Sequence, residues 1–142
     1  MSDHQLPPSL ASFRDELLAL PGSDRLELLA EIGDELPALP QRYVDHPELT
    51  ERVTECRSPV FIAVEVEGGI ATMHATVPQA APTTRGFASI LVQGLTGLSV
   101  DEVRAVPADY PQRLGLADVV SPLRLNGMAG MLTRVQRRVS TS

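Results

Sequence analysis

Apolar positions along the chain run first at helical spacing, then at strand spacing, then at helical spacing again. Leu10, Phe13, Leu17 and Leu18 form one helical stripe behind Ser9, and Pro21-Gly22 closes it. Ser23 or Asp24 caps a second helix, with Leu26, Leu29 and Ala30 inward and Ile32 at the edge of the stripe. Pro37, Pro40 and Pro47 then break any long helix. The stretch 37–55 reads as a long connection of the kind that is often functional, with Arg52-Val53-Thr54 fitting a short strand. From Val60 the period becomes that of a strand, through Phe61, Ile62, Val64 and Val66. Gly68-Gly69 is a turn signal, and Ile70 to Val77 returns as the partner strand of an antiparallel hairpin.

Helical spacing resumes after Pro78. Thr83 or Thr84 opens a helix through Phe87, Ile90, Leu91 and Leu95, which Gly97 ends. Ser99 and Glu102 have the spacing of a capping box. Ser121-Pro122 starts the last helix in the preferred order, cap then N1 proline. Its inward stripe is Leu125, Met128, Met131, Leu132 and Val135, and Arg134, Arg137 and Arg138 crowd its final turns, where the helix dipole favours cations. Helices, a small antiparallel sheet of about three strands, then helices again specify an α+β domain with helices covering one face of the sheet. Residues 1–8 read as a loose polar tail and 9–142 as one domain.

Composition narrows the classes of function. Of 142 residues 43% are apolar and none is lysine, so every fixed cation is an arginine. A net charge of −6 argues against nucleic acid, which needs clustered cations. No apolar run approaches the length that spans a bilayer, and the first residues lack the pattern of a signal peptide. The expectation is a cytoplasmic protein. Cys56 is the single cysteine, which excludes an internal disulfide and fits a reducing compartment.

Cys56 is also the first candidate for chemistry. Free cysteine usually behaves as a small buried hydrophobe. This one lies in Glu55-Cys56-Arg57-Ser58-Pro59-Val60-Phe61, a polar setting just outside the hairpin. Arg57 favours a thiolate and Glu55 disfavours it, and the hydroxyls of Thr54 and Ser58 are candidate donors to it. One thiol is too few for a structural zinc, an iron–sulfur cluster or a Cys-x-x-Cys redox pair, so no metal or cofactor is expected. His46 or His74 would serve as the base if Cys56 were a hydrolytic nucleophile. Arg124 stands at the third position of the last helix, where the dipole disfavours a cation, and so becomes a second candidate.

Two segments resemble the SufE family. The stretch Cys56-Arg57-Ser58-Pro59-Val60-Phe61 before a hairpin is similar to that family's cysteine loop. Leu114-Gly115-Leu116 and then Ser121-Pro122-Leu123-Arg124-Leu125-Asn126-Gly127-Met128 resemble its Leu-hydroxyl-Pro-x-Arg-x-x-Gly signature. Thr84-Arg85-Gly86 before an apolar helix is similar to its middle helix, so the likeness extends from about Asp24 to Arg138. The resemblance implies a SufE/IscU-like fold and a sulfur carrier with no turnover of its own. Its partner would be a pyridoxal-phosphate cysteine desulfurase of the SufS type, from which Cys56 takes sulfur as a persulfide for an iron–sulfur scaffold. Arg124, with Arg57 and Ser58, would contact or orient the loop. Two positions depart from the family pattern: Glu55 replaces a common glycine, and Gln79-Ala80-Ala81 lacks a common acidic residue. The competing readings are an interaction module with a structural cysteine and a cysteine hydrolase.

Overall fold

The structure is a computed structural model and describes residues 6–141. Helices α1 (Pro8–Leu18), α2 (Gly22–Asp34) and α3 (Gln41–Asp45) precede a sheet of β1 (Glu51–Arg52), β2 (Phe61–Glu67) and β3 (Ile70–Thr76). Helices α4 (Pro82–Leu95), α5 (Val100–Arg104) and α6 (Pro122–Ser140) follow. The sheet is antiparallel in the order β1-β2-β3, which gives the α+β architecture read from the sequence. Gly68 and Gly69 carry φ values of 60° and 79°, so the hairpin turns through two left-handed residues that glycine alone adopts freely.

The core lies between the sheet and the helices. Ile62 pairs with Ala75, Val64 with Met73 and Val66 with Ala71, which puts these six on one face. That face packs against α4 and α6. Helix α4 is central, with Phe87, Ile90, Leu91 and Leu95 essentially inaccessible. On α6 the predicted stripe Leu125, Met128, Met131, Leu132 and Val135 is buried throughout. Tyr110 is fully buried and its hydroxyl donates to the Leu10 carbonyl at 2.7 Å, which meets the requirement that a buried polar atom have a partner.

Several boundaries differ from the sequence reading. Helix α1 begins at Pro8 and α4 at Pro82, each with proline in the first turn, where its missing N–H costs nothing. Helix α2 begins at Gly22, before Ser23 and Asp24. Its inward face is Leu29, Ile32 and Gly33, while Leu26 is exposed and Ala30 half-buried. The difference arises because α4 meets α2 along Gly33 and Gly86, which pulls that side of the helix inward. Residues 1–5 of the expected tail lie outside the described residues; Leu6 and Pro7 are buried.

The connection 37–55 holds α3, one turn of 3₁₀ helix (Pro47–Leu49) and β1, which falls at Glu51–Arg52 rather than at 52–54. Helix α3 covers part of the sheet face turned away from the core. There Tyr43 is buried, its hydroxyl donates to Glu65 at 2.5 Å, and Arg42 pairs with the same carboxylate. The helices therefore do not cover one face alone.

Candidate functional site

Cys56 is delivered by a tight turn at the end of β1. Val53 is fully buried and donates its N–H to the Val60 carbonyl at 2.9 Å, while the Cys56 N–H donates back to the Val53 carbonyl at 3.1 Å. The thiol is half-buried. It opens on a cavity of about 560 Å³, a volume in the range of small-molecule sites. Arg57 and Ser58 line that cavity beside it, and Ser121, Leu123 and Arg124 line it from the start of α6. Phe87, Met128 and Met131 give its apolar floor, and Ala80 and Ala81 stand where an acidic residue is common in the resembled family.

The turn rests on α6 through two glycines. A Cβ on Gly127 would stand 3.0 Å from Cys56 Sγ, and one on Gly130 would stand 2.7 Å from Glu55 Cδ. Both positions are inside the helix, where glycine costs roughly 0.5–1 kcal/mol relative to alanine. That cost is offset by the close approach it permits. One turn beyond Gly130, Arg134 reaches across the same face. Its Nε and Nη2 donate to Glu55 Oε1 at 3.0 and 2.8 Å, its Nη2 donates to Thr54 Oγ1 at 2.8 Å, and its Nη1 donates to Glu51 Oε2 at 2.5 Å. Arg138 Nε donates to Glu51 Oε1 at 2.9 Å, and Arg137 pairs with Glu51 as well.

These contacts set the charges around the thiol. Burial pushes the Cys56 thiol up, Glu55 pushes it the same way, and Arg134 pulls against both. The cation that acts on the thiol is therefore Arg134 rather than its neighbour Arg57. Burial alone would raise the Glu55 carboxyl; its own backbone N–H and Arg134 outweigh burial and hold it low. Burial also opposes ionisation of Glu51, yet hydrogen bonds from Arg138, Arg137 and Arg134 bring it down to about 2.

Cys56, Arg57, Ser58 and Arg124 thus meet at one cavity, although Arg124 lies 68 positions beyond the cysteine. The Ser121 hydroxyl accepts the backbone N–H of Arg124 at 3.3 Å, which fixes the first turn of α6 and leaves the arginine exposed at the cavity mouth. The Thr54 hydroxyl is turned to Arg134 and not to the thiol. Neither described histidine lines the cavity: His74 Nε2 faces Glu65 at 3.3 Å on the outer face of the sheet, and His46 pairs with Glu48. A hydrolase built on Cys56 and either of them is excluded by this placement. From the sequence, Gly127 reads only as the glycine of the signature and Arg134 only as a helix-end cation, and Gly130 is assigned no site role. Two glycines inside an otherwise well-formed helix, three apart and one turn before an arginine, were the available signal.

A small α+β domain that offers a lone, half-buried thiol at the mouth of a polar-rimmed cavity defines a thiol-presenting protein. Residues 11–139 match the family model described as SufE: Fe-S metabolism associated domain, and the chain belongs to the SufE family. An uncharacterised SufE-like protein of Mycobacterium tuberculosis is 44% identical over 135 residues, covering 94% of this chain and 93% of the relative. SufE-like protein 1, chloroplastic/mitochondrial, of Arabidopsis thaliana is 40% identical over 55 residues, which are 39% of this chain and 15% of that one. The solution structure of a hypothetical protein from Thermus thermophilus superposes with a TM-score of 0.83 at 34% identity, covering 96% of each chain. Membership points to a role in iron–sulfur metabolism as a sulfur-transfer protein. Among the described residues, no helix is long and apolar enough to cross a membrane.

Proposed function

We propose that Cys56 accepts sulfur from the persulfide of a pyridoxal-phosphate cysteine desulfurase of the SufS type and carries it to an iron–sulfur scaffold. The Cys56 thiolate attacks the outer sulfur of the donor persulfide. A new S–S bond forms on Cys56, the donor S–S bond breaks, and the donor cysteine leaves as a thiolate. The sulfur passes between thiols with no external oxidant or reductant, so one cysteine suffices. The observation that carries this reading is the half-buried Cys56 at the mouth of a cavity walled by Arg57, Ser58 and Arg124, in a chain of this family.

Arg124 and Arg57 orient the loop and the incoming persulfide, whose charge they complement, and Ser58 offers a hydroxyl beside the acceptor sulfur. Burial keeps the resting thiol protonated and protects a bound persulfide from other thiols. The protein has no turnover of its own and stimulates the desulfurase by clearing its persulfide. A reducing cytoplasm suits a carrier whose working group is a free thiol.

The test is sulfide release by a SufS-type desulfurase with the protein carrying Cys56→Ser, together with mass spectrometry for an added sulfur atom on wild-type Cys56. The expected result is loss of stimulation in the variant and one extra sulfur on the wild type. Stimulation equal to wild type would show instead a docking module whose cysteine only packs.

A further inference from the structure

The segment from Glu51 to Cys56 lies along one face of α6 in reverse register. Cys56 sits over Gly127, Glu55 over Gly130, and Glu51 over Arg134, Arg137 and Arg138. The two ends of this strap differ in strength. Glu51 belongs to β1, has a side chain 14% exposed and is bound by three arginines. Glu55 lies beyond the buried Val53, has a side chain 36% exposed and is held by Arg134 alone among the described ion pairs. The strap is therefore anchored at Glu51 and releasable at Glu55, with the change of direction after Val53.

We propose that Arg134 is a positioning residue for Cys56: through Glu55, and over the bare backbone at Gly130, it latches the cysteine turn against α6, and release of this latch gives a large partner access to the thiol. A macromolecular thiol must approach the acceptor sulfur closely, and in the latched state that sulfur is packed against the helix at Gly127. Releasing Glu55 and the Thr54 hydroxyl from Arg134 frees residues 54–58 to swing out while Val53 and Glu51 stay in place. The guanidinium keeps Glu51 as a partner after release, so an opened latch leaves no buried cation unpaired.

The test measures alkylation of Cys56 by iodoacetamide in the isolated protein. Rates are taken across pH, to separate the rate constant of the full thiolate from the thiol's titration midpoint. Arg134→Gln is expected to raise the full-thiolate rate constant about threefold to fivefold, the range that one well-formed, partly exposed ion pair commands. Added salt should speed the wild type and leave the variant unchanged, because screening weakens the exposed pair. Arg134→Lys, which keeps the charge but has no fork to hold Glu55, Thr54 and Glu51 together, should give a rate between those of the wild type and Arg134→Gln. Electrostatics without a latch acts on the titration midpoint instead: loss of the cation raises the midpoint, and the full-thiolate rate constant changes only through the weak dependence of nucleophilicity on basicity. An unchanged or smaller full-thiolate rate constant in Arg134→Gln would overturn the proposal. Should that variant fail to fold, Glu55→Ala removes the same contact while leaving Arg134 on Glu51, and an unchanged rate constant there is equally decisive. No desulfurase takes part, so the outcome is separate from that of the Cys56→Ser assay.

Discussion

Replacing Gly127 with alanine puts a methyl group where the structure has left room for sulfur. The new Cβ would stand 3.0 Å from Cys56 Sγ, closer than the ordinary contact range of 3.4–4 Å, with Glu55 O at 3.9 Å and Cys56 Cα at 4.0 Å already acceptable. Only the sulfur must move, by about 0.4 Å or more. Its single side-chain torsion can carry it toward the cavity, at a cost of about 0.5–1.5 kcal/mol if it leaves a rotamer well. Alanine inside the helix recovers about 0.5–1 kcal/mol. The two nearly cancel, so the melting temperature should change by less than about 4 °C. The thiol, pushed out of its packed position, should react about two- to threefold faster with iodoacetamide near neutral pH, because burial is what suppresses its ionisation. Differential scanning calorimetry and alkylation kinetics read the two effects separately. Gly86→Ala is the control, since its Cβ would strike the backbone carbonyl and side chain of Leu29, which cannot rotate away; it should lower the melting temperature without changing thiol reactivity. A large loss of stability in Gly127→Ala, or a thiol no faster than wild type, would refute the reading that this glycine exists to seat Cys56.

Other consequences follow from the same geometry. Arg124 is exposed and its backbone, not its side chain, joins the N-terminal cap, so Arg124→Ala should cost at most about 0.5 kcal/mol by chemical denaturation. Sulfur appearing on Cys56 in the presence of a desulfurase should nevertheless fall several-fold; unfolding of the variant would make the role structural. Acid should loosen the strap. The Glu51 carboxyl is depressed from 4.5 to about 2, so its contribution is complete above about pH 4.5 and is lost as pH falls toward 2. At about 1.4 kcal/mol per pH unit this amounts to about 3 kcal/mol as an upper bound, read as a fall in the urea midpoint that Glu51→Gln should flatten.

The order of elements was legible in the sequence because it depends on local chemistry. The hairpin turn at Gly68-Gly69, the capping box of Ser99 and Glu102, and the Ser121-Pro122 start of α6 all appear where expected. Each involves residues within a few positions of one another. Boundaries shifted where a proline took the first helical turn, as at Pro8 and Pro82. The inward face of α2 shifted because it answers to Gly86 on another helix, which no local pattern of α2 encodes.

By itself, then, the sequence determined an α+β domain with one thiol before a hairpin and an arginine at the head of the last helix. The tertiary structure decided what surrounds that thiol. Glu55 read as a stray anion beside a reactive group, and Arg134 as one of several cations suited to a helix end. Folding sets them against each other across 79 positions and lays the cysteine turn on two glycines of α6. Helix caps and turns are settled by neighbours in the chain. The charge, access and freedom of Cys56 are settled by groups that only the packed core brings within reach.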